Sequence, residues 1–201
     1  MPRRPVWAGI PIRSFGDAWR RLDADLEPEQ RRRLVEATAE RLVDVLRQAD
    51  LRVVVITPDP DVTAWATERG CDVLAEPPEG GLDAAATAFT SVAMEGDAAW
   101  LVVHGDLPLL TSDDAAAAAE AAATTGVAAP SLDGGTNLVG AATPLSFSYG
   151  QGSFARHLSA FAPRRPTVLC TAGTAIDIDR IDHAAAAASL AGGAWLTRFL
   201  G

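Results

Sequence analysis

The sequence contains no lysine, few cysteines and fewer basic than acidic residues. All 17 basic residues are arginine, which we attribute, together with the abundant alanine, to the codon bias of a GC-rich genome. The formal net charge of −9 argues against a nucleic acid or an acidic membrane as partner, because either would require a basic surface. Cys71 and Cys170 form no Cys-x-x-Cys pair, so a metal–thiolate site is not indicated. We expect both thiols to be reduced and buried in a cytosolic protein.

Several familiar motifs are also missing. No segment reaches the about 20 apolar residues of a membrane span, and the N-terminus lacks the apolar run of a signal peptide, so a cytoplasmic location is expected. The chain has no Walker loop and no Gly-x-Gly-x-x-Gly. No nucleophile elbow is present, so covalent catalysis is unsupported. A length of 201 residues with 48% hydrophobic residues fits a single globular domain over residues 1–201.

Short apolar segments alternate with helical patterns through the first 130 residues. Strands are predicted at 6–12, 51–56, 72–75, 98–104, 127–129, 138–142, 167–170 and 175–179, and helices at 27–49, 61–69, 82–94, 114–124, from 153 onward, and over 181–200. The alternation predicts right-handed βαβ units and therefore a three-layer α/β/α, Rossmann-like fold with a mainly parallel mixed sheet. Ligands of such sheets bind beyond the carboxyl ends of the strands.

The loops after those strands carry residues suited to a nucleotide. Arg13 and Arg21 follow the first strand, and arginine binds phosphate by bidentate donation. The same arginines could equally form a solvated basic patch. The triplet Arg31-Arg32-Arg33 is expected on the exposed face of its helix.

Three aspartates predict a magnesium site. Asp106 follows an apolar strand, and a carboxylate oxygen there suits a hard cation. Asp177 and Asp179 are two residues apart, so on a strand they would share one face and repel each other unless a cation neutralised them. The alternatives are an Asp that caps the turn at Asp106 and a solvated edge strand at 177–179. The three acids together favour magnesium.

Two glycine-rich segments, 134–137 and 150–153, could bind an anion through backbone amides and the Ser153 hydroxyl. Taken alone, the two segments favour ordinary turns over an anion site. Of the histidines, His104 is expected in the core or behind the site, and His157 could orient ligands.

Read in order, these segments resemble the family of 2-phospho-L-lactate and phosphoenolpyruvate guanylyltransferases of coenzyme F-420 biosynthesis. The resemblance runs from Pro11 to Ala187. The segments that match the family are Pro11-Ile12-Arg13 with Arg20-Arg21-Leu22, Ile56-Thr57-Pro58-Asp59, Gly80-Gly81-Leu82-Asp83, Gly105-Asp106-Leu107-Pro108, Gly134-Gly135-Thr136-Asn137, Gly150-Gln151-Gly152-Ser153-Phe154-Ala155-Arg156-His157 and Ile176-Asp177-Ile178-Asp179.

The resemblance implies a fold similar to molybdenum-cofactor guanylyltransferases and a set of site residues. It implies catalytic roles for Asp106, Arg13 and Arg21, and a magnesium site formed by Asp106, Asp177 and Asp179. The acceptor's phosphate would be bound by Thr136, Gly150, Gly152 and Ser153. GTP would be bound by Pro11, Arg13, Thr57, Pro58, Asp59, Gly81 and Asp83. The implied reaction transfers GMP from GTP to phosphoenolpyruvate or 2-phospholactate and releases pyrophosphate. The product would pass to a downstream transferase. For a composition of this kind the resemblance favours phosphoenolpyruvate.

The chain departs from the family pattern at three positions. Arg13 and Trp19 stand where the family usually has lysine, and Asp83 stands where it tends to have asparagine. These changes keep two alternatives open. One is a related nucleotidyltransferase with an altered nucleotide or acceptor, and the other is a catalytically silent relative that still binds nucleotide.

Overall fold

The computed structural model describes residues 4–16 and 19–200, with the side chain of Arg21 outside the description. Seven strands form one mixed sheet in the order β3-β2-β1-β4-β6-β5-β7. The strands are β1 Val6–Pro11, β2 Arg52–Thr57, β3 Asp72–Ala75, β4 Ala99–Val103, β5 Val127–Pro130, β6 Thr136–Ala141 and β7 Thr167–Val168. The α-helices are α1 Pro28–Gln48, α2 Pro60–Glu68, α3 Gly81–Glu95, α4 Ser112–Ala122, α5 Ser153–Ala160, α6 Ala172–Ala175 and α7 Ile181–Ala188, with 3-10 turns at Arg20–Leu22 and Ala194–Phe199.

The central strands are parallel, as the alternating pattern predicts. β1 pairs in parallel with both β2 and β4, and β2 pairs in parallel with β3. Only β6 runs against its neighbours β4 and β5. The carboxyl ends of β1, β2 and β4 therefore lie at one edge, and the antiparallel β6 brings its first residue, Thr136, to that same edge. The mainly parallel mixed α/β fold is confirmed.

Helices cover both faces of the sheet because its strands are apolar on both faces. All five residues of β4 are buried. One core cluster joins the sheet to α1, α2 and α4, and a second joins it to α3 and α5. Gly9 in β1 allows the second cluster to close, because a Cβ there would lie 2.5 Å from the Phe89 ring. A third cluster packs the C-terminal segment against the start of α1.

The amphipathic pattern of α1 is confirmed, with one correction. Glu27 and Gln30 form a capping box, and Pro28 occupies the first helical turn. The arginine triplet at 31–33 does not lie wholly on the exposed face. Arg31 is buried; it donates to the Gly16 carbonyl at 2.7 Å and pairs with Asp23. It therefore ties the loop after β1 to α1.

Residues 175–179 do not form the predicted strand. Ala172–Ala175 is a short helix, and residues 176–179 form no strand and do not pair in the sheet. The alternation of Ile and Asp has another cause: Ile178 is buried in the third core cluster, and its amide donates to the Asp106 carbonyl at 3.1 Å. Cys170 is also a correction, because it is exposed while Cys71 is buried. None of the described helices combines the length and apolar character that crossing a bilayer requires.

Candidate active site

A cleft runs along the carboxyl edge of the sheet and divides into three adjoining pockets. The central pocket is lined by Pro11, Ile12, Arg13, Ser14, Trp19, Val35, Ala39, Leu82, His104, Gly105 and Asp106. The acidic pocket shares Leu82, His104 and Asp106 with it and adds Ser131, Asp133, Gly135, Thr136, Asn137, Tyr149, Gly150, Gln151, Ser153, Asp177 and Asp179. The outer pocket shares Arg13 and Ser14 with the central one and adds Arg20, Pro58, Asp59 and Pro60. Asp106 therefore lies where the central and acidic pockets meet.

The three aspartates meet at that junction. One carboxylate oxygen from each of Asp106, Asp177 and Asp179 lies within 4.8 Å of the others. The hydrogen bond from Ile178 to the Asp106 carbonyl fixes this arrangement, since it holds the flanking acids beside Asp106. Oδ1 of Asp106 is buried and has no hydrogen-bond partner among the described residues.

The electrostatics of this cluster favour a bound cation. Burial raises the pKa of Asp106 from 3.8 to about 7, and the charges of Asp177 and Asp179 also raise it. Burial likewise raises the pKa of Asp177. Crowded, partly desolvated carboxylates are costly to ionise unless a positive charge compensates them. An oxygen-only ligand set with an unpartnered buried oxygen fits a hard divalent cation such as Mg²⁺.

The central and outer pockets contain several of the residues predicted to bind nucleotide. Pro11 and the exposed Arg13 line the central pocket, and Pro58 and Asp59 line the outer one. Asp59 is also the N-cap of α2, because its Oδ1 accepts from the Asp61 amide at 2.7 Å. The side chain of Arg21 lies outside the described residues.

Thr57, Gly81 and Trp19 have roles in the local structure. The buried Thr57 hydroxyl accepts from the Asp59 amide at 3.1 Å, which shapes the loop after β2. Gly81 begins α3 with a φ of 56°, a backbone conformation that favours glycine. Trp19 packs against two core clusters and forms part of the central pocket wall.

Two hydroxyls line the pocket on the other side of Asp106, and a histidine lies behind them. Thr136 Oγ1 lies 3.0 Å from Ser153 Oγ and 2.9 Å from His157 Nδ1, and all three residues are buried. Thr136 is the first residue of β6 rather than part of a loop. Gly150 and Gly152 turn the chain into α5 with φ values of 100° and 70°.

The segment 148–151, here named the acceptor loop, is held by the polar side chains of two helices. Arg156 donates to the carbonyls of Ser148 and, at 2.7 Å, Gln151. Asp83 Oδ1 accepts from the Tyr149 amide at 2.8 Å. Asparagine at position 83 could accept the same bond, so the departure from the family pattern preserves this contact. A nucleotide-binding role for Asp83 stays a prediction.

The sequence pattern did not identify Tyr149 as a site residue, and for His104 it predicted only a position in the core or behind the site. The Tyr149 hydroxyl and His104 Nε2 are buried without hydrogen-bond partners in the described part of the chain, and their rings are 5.3 Å apart. Burial, with a smaller contribution from the nearby His157, lowers the pKa of His104 to about 4. Tyr149 is the sole tyrosine of the sequence. The sequence pattern does not reveal its position beside His104, because this contact joins residues far apart in the chain.

Comparison with known proteins identifies the family. The model described as "Guanylyl transferase CofC like" matches residues 7–169. A phosphoenolpyruvate guanylyltransferase of Sphaerobacter thermophilus is 33% identical, over 86% of this chain and 87% of its own. A 3-phospho-D-glycerate guanylyltransferase of Phenylobacterium zucineum is 34% identical over 87% and 86%. A 2-phospho-L-lactate guanylyltransferase of Methanothermobacter thermautotrophicus is 32% identical over 74% and 68%.

Solved structures show the same fold at lower identity. A protein provisionally described as a nucleotide-diphospho-sugar transferase from Desulfovibrio desulfuricans superposes with a TM-score of 0.77 at 12% identity, covering 96% of this chain and 94% of that one. A nucleotidyl transferase from Methanothermobacter thermautotrophicus superposes with a TM-score of 0.66 at 16% identity, covering 98% of each chain. With the family model matching most of the sequence, the chain belongs to the CofC-like guanylyl transferase family.

Proposed function

We propose that this protein transfers GMP from GTP to the phosphate of a small phosphorylated acid and releases pyrophosphate. Phosphoenolpyruvate and 2-phospho-L-lactate are the acceptors that the family resemblance favours, in coenzyme F-420 biosynthesis. The observation that carries the proposal is the position of Asp106, Asp177 and Asp179, at the junction of a pocket containing arginine and a pocket containing hydroxyls. Asp106, Asp177 and Asp179 would hold a metal ion between the two pockets.

The two pockets have the chemistry that the two substrates require. Arg13 in the central pocket would bind the triphosphate by bidentate donation. Thr136 and Ser153 in the acidic pocket would hold the acceptor's phosphate. In this reaction an oxygen of the acceptor's phosphate would attack the α-phosphorus of GTP, and a new P–O bond would form as the bond to pyrophosphate breaks. Catalysis then depends on positioning and charge stabilisation, without a covalent enzyme intermediate.

The acid triad would hold magnesium. When bound, Mg²⁺ neutralises the charge that develops on the phosphoryl oxygens. The protein's own contribution is to hold three carboxylates together from two segments of the chain, which the hydrogen bond from the Ile178 amide to the Asp106 carbonyl joins. Because the net charge is −9, the local arginines and the cation must overcome a general repulsion of anionic substrates.

Sequence identity does not select the acceptor, because relatives named for three different acceptors have nearly the same identity to this chain. The test is pyrophosphate release from GTP and Mg²⁺, with phosphoenolpyruvate, 2-phospholactate and 3-phosphoglycerate assayed in parallel and each product identified by mass. We expect release that depends on one acceptor and is lost in Asp106→Ala. The exposed Asp113 provides a matched control, Asp113→Ala, which should stay active.

Two outcomes would favour the alternatives. Metal-dependent GTP binding without transfer to any of the three acids would favour a silent relative, as the replacement of both usual lysines allows. Transfer from another nucleotide in preference to GTP would favour a related nucleotidyltransferase, and competition among the four ribonucleoside triphosphates measures that preference.

A further inference from the structure

The hydrogen bonds around His157 determine where its proton lies. The ring is fully buried, and Nε2 lies 3.1 Å from the backbone nitrogen of Ser148. A backbone N–H can only donate, so Nε2 accepts and carries no proton. A neutral imidazole keeps one ring proton, which must then be on Nδ1. Nδ1 therefore donates to Thr136 Oγ1, 2.9 Å away.

The acceptor loop enforces this tautomer. The carbonyl of Ser148 accepts from Arg156, and the next amide, Tyr149, donates to Asp83. With its neighbours held in this way, the Ser148 N–H stays directed at Nε2. Burial lowers the pKa of His157, the charge of Asp83 opposes this effect, and Arg156 adds to it, so the ring is neutral at pH 7.

The tautomer decides what the Thr136–Ser153 pair presents to an anion. The two hydroxyls have two protons, and their mutual bond at 3.0 Å uses one. Because His157 donates to Thr136, the second hydroxyl proton stays available to the pocket. With the proton on Nε2 instead, Thr136 would have to donate to Nδ1 and Ser153 to Thr136. Both protons would then be consumed, and lone pairs would face the acceptor's phosphate.

The first two backbone amides of α5 do not replace this donor. The Ser153 amide donates to the Gly150 carbonyl at 3.0 Å, and the Phe154 amide donates to the Gly134 carbonyl at 3.3 Å. The first two amides of α5 are thus already bonded, although the N-terminus of a helix is a common phosphate site. The hydroxyl pair therefore supplies a donor that the protein holds in place at this end of the pocket.

We propose that His157 is a positioning residue that, as its Nδ1–H tautomer, keeps a hydroxyl proton of the Thr136–Ser153 pair directed at the acceptor's phosphate. His157 touches no substrate itself and acts through Thr136. The proposal rests on the proposed function, since it takes the phosphate of the acceptor as the anion in this pocket.

Two substitutions distinguish the roles of the two ring nitrogens of His157. In His157→Asn the side-chain amide group can donate from near Nδ1, whereas in His157→Gln the amide oxygen can accept near Nε2. We expect His157→Gln to raise KM for the acceptor about three- to tenfold, the effect of losing one neutral hydrogen bond, with kcat and KM for GTP unchanged. His157→Asn should stay within about twofold of the wild-type KM. Equal increases in both variants, or a wild-type KM in His157→Gln, would overturn the proposal.

The tautomer can be measured without substrate. Long-range ¹H–¹⁵N correlation spectra distinguish Nδ1–H from Nε2–H imidazoles, and with 3 histidines in the chain the His157 signals are those lost in His157→Asn. We expect the Nδ1–H pattern at pH 7; an Nε2–H or doubly protonated ring would refute the inference. A protein with the Nδ1–H ring that transfers GMP to no acceptor would refute only the proposed function.

Discussion

Replacing Asp106 with asparagine should stabilise the metal-free protein at high pH. The folded-state pKa of Asp106 is raised from 3.8 to about 7, so the folded protein retains a proton that the unfolded chain releases. The stability contributed by this group is complete below pH 3.8 and is lost as the pH rises through 7. That difference in pKa corresponds to about 4 kcal/mol at pH 8. Asparagine has nearly the same shape and cannot ionise, so Asp106→Asn avoids this cost.

The assay is urea unfolding of wild type and Asp106→Asn in EDTA, at pH 5 and at pH 8. The variant should gain up to about 4 kcal/mol over wild type at pH 8 and clearly less at pH 5. A hundredfold excess of Mg²⁺ over Kd should reduce the variant's advantage at pH 8 by about 2.7 kcal/mol, because wild type binds the cation whereas the variant lacks one ligand. Asp177 titrates in both proteins, so their difference reports Asp106 together with its electrostatic coupling to Asp177.

Two results would contradict this reasoning. If Asp106→Asn changes the unfolding free energy equally at pH 5 and pH 8, burial does not penalise the Asp106 charge. If Mg²⁺ stabilises both proteins to the same extent, the cation does not bind at the acid triad, and the magnesium site must lie elsewhere.

Three further predictions test contacts in the site and the core. Asp83→Asn should leave the acceptor KM and the stability unchanged, because its side-chain oxygen can still accept a hydrogen bond from the Tyr149 amide. Asp83→Leu cannot accept this bond and should lower the free energy of unfolding in urea by about 1–3 kcal/mol. Equal losses of stability in the two variants would show that this hydrogen bond is not the reason. Thr136→Val keeps the side-chain volume but removes the hydroxyl, so acceptor KM should rise about tenfold in steady-state kinetics, and a rise in KM for GTP alone would argue against the assignment. Gly9→Ala should cost about 1–3 kcal/mol through overpacking against Phe89, and calorimetry of Gly9→Ala with Phe89→Leu should show part of that loss restored.

The local sequence pattern was sufficient to predict the helices and strands whose apolar residues follow a clear pattern. The unbroken apolar residues of β4 predict a strand buried on both faces, and the stripe Leu34, Thr38, Leu42 and Leu46 predicts the buried face of α1. Because parallel strands end at a common edge, the sequence also places Asp106 and Arg13 in one region, which the structure confirms. The motifs around these strands identify the family, which the family model confirms.

Tertiary structure decided which polar groups meet. The alternation at 176–179 looks like a strand, yet period two arises in any extended segment that buries one side, and here Ile178 docks beside Asp106 instead of joining the sheet. Arg31 is buried because a loop folds over it. The contact of Asp83 with Tyr149 and the proton position on His157 depend on bonds to the acceptor loop. Such hydrogen bonds join residues far apart in the chain, so residue type and local spacing reveal the groups available, and only the fold determines their partners.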